Sequence, residues 1–247
     1  MIWRLINSGE NSGPHNMDFD VQLTKDCRED EAYFRLYRWK PYCISLGYHQ
    51  DYSDINKERS QQDNIDIVKR PTGGRAILHA EEITYSCIIP NKFGLSARQI
   101  YEKISMSLIT GLEIYNPQLS QLELEKIQPD FPDLLKTDKG LLCFSTAAKN
   151  EVKFKGKKLI GSAQRRTGDF ILQHGSILCG NYHKKIVNYV NLSENIINEL
   201  RNELDNKTTD IEEILGIKVD YEKLSKNIIE GFEKYWEIKF VENGNTQ

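Results

Sequence analysis

The segment Arg70–His79, which reads RPTGGRAILH, holds the residues whose types and spacing most clearly point to chemistry. Its adjacent glycines, Gly73 and Gly74, allow backbone N–H groups to approach a bound ligand because no Cβ stands in the way. Charge and hydrogen-bond donors surround the pair: Arg70, Arg75 and His79. This combination suits a ligand that carries a carboxyl, phosphoryl or thioester group. A basic turn without a ligand is the alternative, since glycine pairs are common in turns.

A second group of residues lies further along the chain and centres on one thiol. Cys143 is followed by Lys158 and then by His174. A thiol becomes a nucleophile when a nearby cation stabilises its thiolate, and Lys158 or His174 could supply that cation. Small residues follow the lysine: Gly161, Ser162 and Ala163. They would let a ligand come close to its ammonium group. The alternatives are an ordinary turn at these small residues, a solvated charged face and a buried core histidine.

The other four cysteines show no pattern typical of a metal site or a disulfide framework. None forms a CxxC pair, so we expect no zinc site and no other bound metal. The total of five cysteines is odd, and their wide spacing does not suggest disulfides. Cys43, Cys87 and Cys179 lie in apolar strand-like segments and are expected to be core residues. Cys27 lies among charged residues at a predicted helix end.

Hydrophobic periodicity predicts the elements that must position these residues. Strands are predicted over residues 3–7, 34–39, 43–46, 65–68, 83–89, 151–159, 170–178 and 238–241, with a tight turn at Gly156. Helices are predicted over residues 16–27, 97–115, 194–204, 211–215 and 221–236, with a polar helix-like segment over 54–63. Ser96 is a good N-cap for the longest helix. Residues 116–141 are irregular, and a long loop in a compact domain is often functional, for example as a lid.

The order of these elements indicates the fold class. Strands and helices mix without regular alternation, and several strands look joined by hairpins. This arrangement favours an α+β fold in which helices flank a mixed, largely antiparallel central sheet. At 247 residues the chain has a length at which a single domain is still common. We therefore expect one domain over residues 1–247, with a helical C-terminal segment over about 184–247.

Charge and hydropathy argue against several function classes. The net charge of −3 and the pI near 6.0 argue against a general nucleic-acid binder. No apolar run approaches the roughly 20 residues that span a bilayer, and the first residues lack the apolar core of a signal peptide. We therefore expect no nucleic-acid partner, no membrane association and a cytoplasmic location.

Taken together, these segments resemble a known superfamily, which comprises lipoate–protein ligase A, octanoyltransferases and biotin–protein ligases. Arg70–His79 is similar to the signature loop of that superfamily, and Lys158–Gln164 is similar to its invariant-lysine motif. Trp3–Ile6, Arg38–Pro41 and Ser45–Gln50 also resemble it, in the same order. The resemblance covers roughly residues 2 to 180 and implies the class II biotin and lipoyl ligase type of fold.

Details of these motifs favour the octanoyltransferase branch of the LipM type. ATP-dependent lipoate ligases usually have a third glycine in the loop, where this chain has Arg75. Cys143 is similar in position to the nucleophilic cysteine of the LipM-type enzymes, whereas the ligases commonly lack a cysteine there. The larger ligases also carry an accessory domain, for which we expect no room in 247 residues. One departure is that residues 144–150 lack the proline that is common in the LipM branch.

The resemblance implies transfer of an octanoyl group from acyl carrier protein to a lysine of a lipoyl-domain protein, such as a glycine-cleavage H protein or a dehydrogenase E2. Cys143 would form a thioester acyl-enzyme, and Lys158 would stabilise its thiolate and the tetrahedral oxyanion. A thioester donor and an amide product make the reaction downhill, so no cofactor is expected. The substrate-binding residues would be Arg70, Thr72, Gly73, Gly74, Arg75, His79, Gly161, Ser162, Ala163 and His174. The acyl tunnel would be walled by Met17 and by strand residues near Leu46 and Val68.

Two other functions stay open on the sequence. An ATP-dependent lipoate–protein ligase would act through lipoyl-AMP and would need ATP and Mg²⁺. A non-catalytic module that binds lipoyl or acyl proteins could also keep the fold. The cationic run over residues 149–166 would steer acidic carrier proteins under the transferase hypothesis, and it could equally be a solvated strand pair.

Overall fold

The computed structural model of the chain describes residues 1–125 and 150–242. Its strands are β1 (Ile2–Asn11), β2 (Glu31–Trp39), β3 (Cys43–Leu46), β4 (Asp66–Lys69), β5 (Ile77–His79), β6 (Glu82–Pro90), β7 (Leu122–Leu124), β8 (Val152–Phe154), β9 (Lys157–Thr167), β10 (Phe170–Leu178) and β11 (Val241–Glu242). Its α-helices are α1 (Gly13–Asp26), α2 (Lys57–Gln62), α3 (Ala97–Tyr115), α4 (Glu194–Lys207), α5 (Ile211–Leu215) and α6 (Tyr221–Trp236). Short 3-10 helices span Tyr52–Asp54, Asn91–Phe93, Pro117–Gln121 and Asn181–Tyr189.

The larger of two sheets is mixed and mostly antiparallel. Its strand order is β11-β1-β2-β6-β10-β9-β8-β7. β1 runs parallel to both of its neighbours, and the other described neighbours in this sheet pair antiparallel. The predicted α+β fold, with helices that flank a mixed, largely antiparallel sheet, is confirmed. A smaller sheet has the order β4-β3-β5, and the segment Arg70–His79 leads from β4 through β5.

Successive residues of β2 show how the two faces of the larger sheet are covered. Phe34 stacks on Phe232 of α6 with 4.3 Å between ring centroids, and both belong to the main apolar core. Arg35 points the other way and bonds to Asp20 of α1 at 2.8 Å. Because side chains alternate along a strand, α6 and α1 lie on opposite faces. The predicted site residue His174 lies on the α1 side, near Asp20, whereas the hydroxyl group of Ser162 is hydrogen-bonded to Tyr85 of the main core.

Several predicted boundaries agree with the structure. The strands over 43–46 and 170–178 and the helices over 97–115, 211–215 and 221–236 are confirmed residue for residue. Ser96 caps α3 as predicted, in a capping box with Gln99. The turn predicted at Gly156 divides the strand predicted over 151–159 into β8 and β9. Because β9 continues to Thr167 and pairs with β10, the small residues 161–163 lie in a strand and not in a turn.

Other predicted segments differ from the structure. The helix-like stretch 54–63 is broken at Ile55, which is buried and bridges to Val190. The irregular stretch 116–141 begins with a 3-10 helix and β7, and its residues 126–141 lie outside the described part of the chain. The closing strand begins later than predicted, at Val241, because the backbone N–H groups of Ile238 and Phe240 bond to Glu233 of α6 instead of to β1.

The helices after residue 184 pack on the described core. Leu200 and Leu204 of α4 and Phe232 of α6 are all almost completely buried in the main apolar cluster. Within residues 1–125 and 150–242, no helix is both long enough and apolar enough to cross a membrane.

Candidate active site

A cavity that is partly open to solvent, with about 390 Å³ of empty space including that open part, lies between α1, the smaller sheet and the facing strands of the larger sheet. The described residues that line it are Met17, Tyr37, Trp39, Ser45, Arg70, Ile77, His79, Thr84, Gly161, Ser162, Ala163, His174, Gly175 and Ser176. Met17 was among the residues predicted to wall an acyl tunnel. Strand residues near Leu46 and Val68 were also predicted there, and Ser45, next to Leu46, lines the cavity, whereas Leu46 and Val68 themselves are not among the described lining residues. Because Ser45 faces the cavity, alternation along β3 turns Leu46 into the main core.

Arg70 organises the backbone of the glycine loop. Its guanidinium donates to the carbonyl oxygens of Ser45 at 2.9 Å, Gly73 at 3.0 Å and Arg75 at 2.7 Å. The side chain is almost fully buried, so these bonds form in a region from which water is largely excluded. Arg70 thus both lines the cavity and fixes the loop, while Gly73 and Arg75 lie beside the described lining rather than in it.

Two glycines bring the loop into contact with the end of β3. A Cβ on Gly47 would lie only 1.9 Å from the carbonyl oxygen of Gly74. Gly74 itself has a φ of 87°, in the region that side chains other than glycine rarely adopt. The close approach therefore requires glycine at both positions. By contrast, a Cβ on Gly73 would have no neighbour within 4 Å.

His174 connects the glycine loop to α1. Its Nε2 lies 2.5 Å from Oγ1 of the fully buried Thr72, and its Nδ1 lies 3.9 Å from Oδ2 of Asp20. Burial lowers the pKa of His174 even though Asp20 opposes the shift. Burial alone would raise the pKa of Asp20, but His174 and Arg35 outweigh it and hold that pKa below its usual range. His174 thus lines the cavity, and the fully buried Asp20 lies behind it.

His79 is held between a carboxylate and a hydroxyl group. Its Nδ1 lies 2.8 Å from Oε1 of Glu82, and its Nε2 lies 2.7 Å from Oγ of Ser45. Thr84 and Ser176 also donate hydrogen bonds to Oε1 of Glu82. Burial would raise the pKa of Glu82, but His79 and these hydrogen bonds hold it below its ordinary value. Because an ionised carboxylate only accepts, Nδ1 of His79 carries the hydrogen.

Lys158 is not among the described lining residues of the cavity and forms a buried ion pair. Its Nζ is 2.8 Å from Oε2 of Glu151, and each side chain is only 2% exposed. The other carboxylate oxygen of Glu151 accepts a hydrogen bond from the backbone N–H of Ser162, which lines the cavity. The pairing of β8 with β9 shifts register between Val152 and Lys153, opposite Lys158. Such irregularities re-aim a side chain at the edge of a site.

The four described cysteines are poor candidates for a nucleophile. All are buried, and burial raises the pKa of Cys27 to about 12 and the pKa values of Cys43, Cys87 and Cys179 well above the ordinary value. Cys43, Cys87 and Cys179 are core residues, as predicted. Cys143, the predicted nucleophile, lies outside the described residues. Residues 1–125 and 150–242 contain no cluster of side chains that could hold a metal ion.

Sequence reasoning missed the acidic partners of the site lysine and histidines. These are Asp20, Glu82 and Glu151, and each is at most 2% exposed. The available signal was an acidic residue in or beside an apolar stretch, as Glu82 is at the start of β6. A buried charge needs a partner, so such a residue points to a buried base or cation elsewhere in the fold.

The arrangement of the cavity suits a ligand with an elongated apolar part and a polar end. Aliphatic and aromatic side chains from α1, β2 and β5 form one side, and small residues of β9 leave room on the other. Fixed polar groups line the remainder, and one buried ammonium–carboxylate pair lies behind Ser162. Ligand sites commonly combine an apolar lining with a few fixed polar groups in this way.

Comparison with known proteins connects this geometry to one family. The family model described as "Lipoyl protein ligase A/B catalytic domain" matches residues 12–233. The chain is 33% identical over 251 residues to octanoyltransferase LipM of Clostridioides difficile, covering 99% of this chain and 90% of that protein. It is 32% identical over 243 residues to octanoyltransferase LipM of Bacillus subtilis, covering 94% of this chain and 85% of that protein.

Solved structures share the fold at lower sequence identity. A bipartite lipoate protein ligase from Thermoplasma acidophilum has a TM-score of 0.78 at 17% identity and covers 100% of this chain and 88% of that chain. Lipoate-protein ligase A bound with ATP has a TM-score of 0.75 at 16% identity and covers 100% of this chain and 90% of that chain.

Proposed function

Because the chain belongs to the lipoyl protein ligase A/B catalytic domain family, we propose that it is an octanoyltransferase that moves an octanoyl group from acyl carrier protein to a lysine of a lipoyl-domain protein. The observation that carries the proposal is similarity over nearly the full length to proteins named octanoyltransferase LipM. The cavity between the sheets supports it, because its lining suits an extended acyl chain. We expect the enzyme to act in the cytoplasm.

We assign the nucleophile to Cys143. In the first step its sulfur bonds to the acyl carbon, the bond from that carbon to the carrier sulfur breaks, and the carrier thiol leaves with a proton. In the second step the neutral amine of the acceptor lysine bonds to the same carbon, and Cys143 leaves and takes up the proton that the amine loses. The four described thiols are unsuited to this role because burial raises their pKa values.

Lys158 would act electrostatically on both steps. Glu151 lies 2.8 Å from its ammonium group and keeps a buried positive charge compensated in the resting enzyme. A fixed cation at this position would favour the Cys143 thiolate and the oxyanion of each tetrahedral intermediate. Since a thioester is exchanged for a thioester and then for an amide, the reaction needs no ATP, metal ion or other cofactor.

The remaining residues would shape the acyl pocket. Gly161, Ser162 and Ala163 would lie along the acyl group, and His174 with Thr72 would hold the wall beside α1. The N–H groups of Gly73 and Gly74 would orient the acyl carbonyl. His79, Arg70 and Arg75 would form or support the polar end of the pocket.

The partners would be two acidic carrier proteins, an octanoyl acyl carrier protein as donor and a lipoyl-domain protein as acceptor. A glycine-cleavage H protein or a dehydrogenase E2 subunit would supply the acceptor lysine. Exposed cations lie on and beside the β8–β9 hairpin: Lys155, Arg165 and Arg166. A cationic surface near the pocket would steer acidic partners and raise their association rates at low salt.

One observation favours a second candidate, an ATP-dependent lipoate–protein ligase that acts through lipoyl-AMP. The fold is shared with lipoate-protein ligase A, whose solved structure contains ATP. That likeness rests on 16% sequence identity, whereas the curated octanoyltransferases are 32–33% identical to this chain. The transferase is therefore the better supported proposal.

Intact-mass spectrometry of the full chain after mixing with octanoyl acyl carrier protein tests the proposal. We expect one octanoyl adduct to form without ATP or Mg²⁺, to be absent in Cys143→Ala, and to disappear when a lipoyl-domain protein is added. An adduct that persists in Cys143→Ala would disprove the assigned nucleophile. Modification of the lipoyl-domain protein only with ATP and free lipoate would establish the ligase instead.

A further inference from the structure

The segment that follows α4 pairs directly with the backbone of the site lysine. β9 is paired with β10 as far as Ile160, which lies opposite Ile177. Lys158, two residues before Ile160 in β9, instead forms an isolated parallel bridge with Thr208. The backbone N–H of Thr209 donates to the carbonyl oxygen of Lys158 at 3.0 Å. Lys158 therefore lies between β8 and a segment from the C-terminal helical part of the chain.

Thr208 is itself fixed by a buried hydrogen-bond network. The residue is fully buried, and its Oγ1 lies 2.7 Å from the carbonyl oxygen of Leu204 and 3.0 Å from Nε2 of His183. The other ring nitrogen of His183 lies 3.2 Å from the carbonyl oxygen of Gly180. The network thus ties the end of α4 to the 3-10 helix that follows β10.

The side of Lys158 that faces β8 is less regular. The β8–β9 register shifts by one residue between Val152, which pairs with Ile160, and Lys153, which pairs with Lys158. An irregular ladder leaves the local backbone direction to be set by other contacts. Thr208 and Thr209 make such contacts with Lys158 on the opposite side of the strand.

We propose that Thr208, supported by His183, is a positioning residue for Lys158, so that the C-terminal helical segment is part of the active-site machinery. Thr208 fixes the segment from which the N–H of Thr209 donates to the carbonyl oxygen of Lys158. This backbone contact keeps the ammonium group of Lys158 against Glu151, whose other carboxylate oxygen accepts from the N–H of Ser162. The inference rests on the proposed function of Lys158 in octanoyl transfer. It assigns a role to a part of the chain beyond the motifs that carry the family resemblance.

Two Thr208 variants of the full chain and one matched control test this inference. Thr208→Val removes the hydroxyl group at nearly constant shape, and Thr208→Ser keeps the hydroxyl group. Thr110→Val is the control. The hydroxyl group of Thr110 likewise donates to a carbonyl oxygen four residues earlier in a helix, that of Met106, but Thr110 lies away from the site. We expect Thr208→Val to lower kcat for octanoyl transfer about tenfold with KM for the carrier unchanged, as the loss of one positioning hydrogen bond would. The kcat of Thr208→Ser should stay within about twofold of the wild-type value, and the kcat of Thr110→Val should equal the wild-type value.

A second measurement does not depend on catalysis. The rate at which an amine-reactive reagent modifies Lys158 is followed by peptide mass spectrometry as a function of pH. We expect the pH profile of Lys158 to shift in Thr208→Val but not in Thr208→Ser or Thr110→Val. Unchanged profiles in all three variants, or an equal loss of kcat in the valine and serine variants, would overturn the inference. If the wild type transfers no octanoyl group, the proposed function is wrong. The pH profile of Lys158 modification still decides whether Thr208 positions Lys158.

Discussion

Lys158 and Glu151 form a buried ion pair, with 2.8 Å between the ammonium nitrogen and the nearer carboxylate oxygen. A neighbouring pair, Lys153 and Glu125, has a similar separation of 2.7 Å, but its side chains are 20% and 15% exposed. Lys153 lies on β8 and Glu125 follows β7, whereas Lys158 lies on β9 and Glu151 precedes β8. The two pairs therefore offer a direct comparison of a buried and a partly solvated ion pair within one structural setting.

We predict that Glu151→Gln costs much more stability than Glu125→Gln. Removal of one partner of a buried pair leaves an uncompensated charge and costs about 3 kcal/mol or more. A partly exposed pair contributes about 1 kcal/mol or less because water screens it. The free energy of unfolding in urea measures both. Equal losses in the two variants would contradict the buried position of the Lys158 pair.

We also predict that Gly47→Ala disrupts the glycine loop, whereas Gly73→Ala does not. A Cβ on Gly47 would lie 1.9 Å from the carbonyl oxygen of Gly74, while one on Gly73 would meet nothing within 4 Å. Gly47→Ala should lower the thermal unfolding midpoint by about 5 °C or more, and Gly73→Ala should change it little. A midpoint for Gly47→Ala within a degree of the wild type would contradict this geometry. Because unfolding is measured without substrate, the two midpoints report the effect of each substitution on the shape of the loop and not on its contacts with a ligand.

The elements that the sequence predicted correctly are those with strong local signals. The helix over 97–115 has an apolar stripe and a capping residue, Ser96, and the strand over 170–178 is bounded by a turn on its N-terminal side. The mixed sheet followed from the irregular order of these elements. The site motifs were also visible, and the structure brings His79, Arg70 and His174 to one cavity.

The rest could not be predicted because it depends on contacts between distant parts of the chain. Thr72 and His174 are 102 residues apart in sequence, and no local pattern indicates that they share a hydrogen bond. The pairing of Thr208 with Lys158 is likewise non-local, and Thr208 lies between two predicted helices, where the sequence indicates no strand pairing. The direction of Leu46 away from the cavity depends on which face of β3 meets the larger sheet. The catalytic role of Cys143 stays a prediction.

The buried carboxylate of Glu82 leads to a prediction about stability at low pH. His79 and hydrogen bonds hold its pKa below the ordinary value of 4.5 in the folded state. The folded state therefore binds fewer protons than the unfolded state in this range, and stability must rise with pH. The contribution is fully present above about pH 4.5 and is lost as the pH falls through the folded pKa.

Unfolding in urea at a series of pH values tests this. Glu82→Gln should be less stable than the wild type at pH 6, because the ionised acceptor of three hydrogen bonds is lost. The difference in unfolding free energy between the wild type and Glu82→Gln should become smaller as the pH falls below about 4.5, because protonation of Glu82 removes its stabilising contribution from the wild type. A difference that stays constant or widens towards acid would show that Glu82 is not ionised in the fold.

His183 leads to a separate pH dependence in a higher window. Burial lowers its pKa from 6.5 to about 4, so it stays neutral in the folded state where an unfolded chain would already bind a proton. The unfolded state thus gains protons first as the pH falls, and stability must decrease between about pH 6.5 and 4. The lost stability attributable to this residue amounts to ~3 kcal/mol at most, since one pKa unit is about 1.4 kcal/mol.

Unfolding free energies of His183→Gln between pH 7 and pH 4 isolate that contribution. The amide side chain does not titrate, so the variant should lose less stability than the wild type across the window, even if it begins less stable at pH 7. His49→Gln serves as the matched histidine replacement, because His49 is exposed on the loop after β3. If His183→Gln keeps the full wild-type slope, the imidazole of His183 is not buried in a neutral form. In that case the network that links it to Thr208, and through Thr208 to Lys158, would need a different proton arrangement from the one the structure indicates.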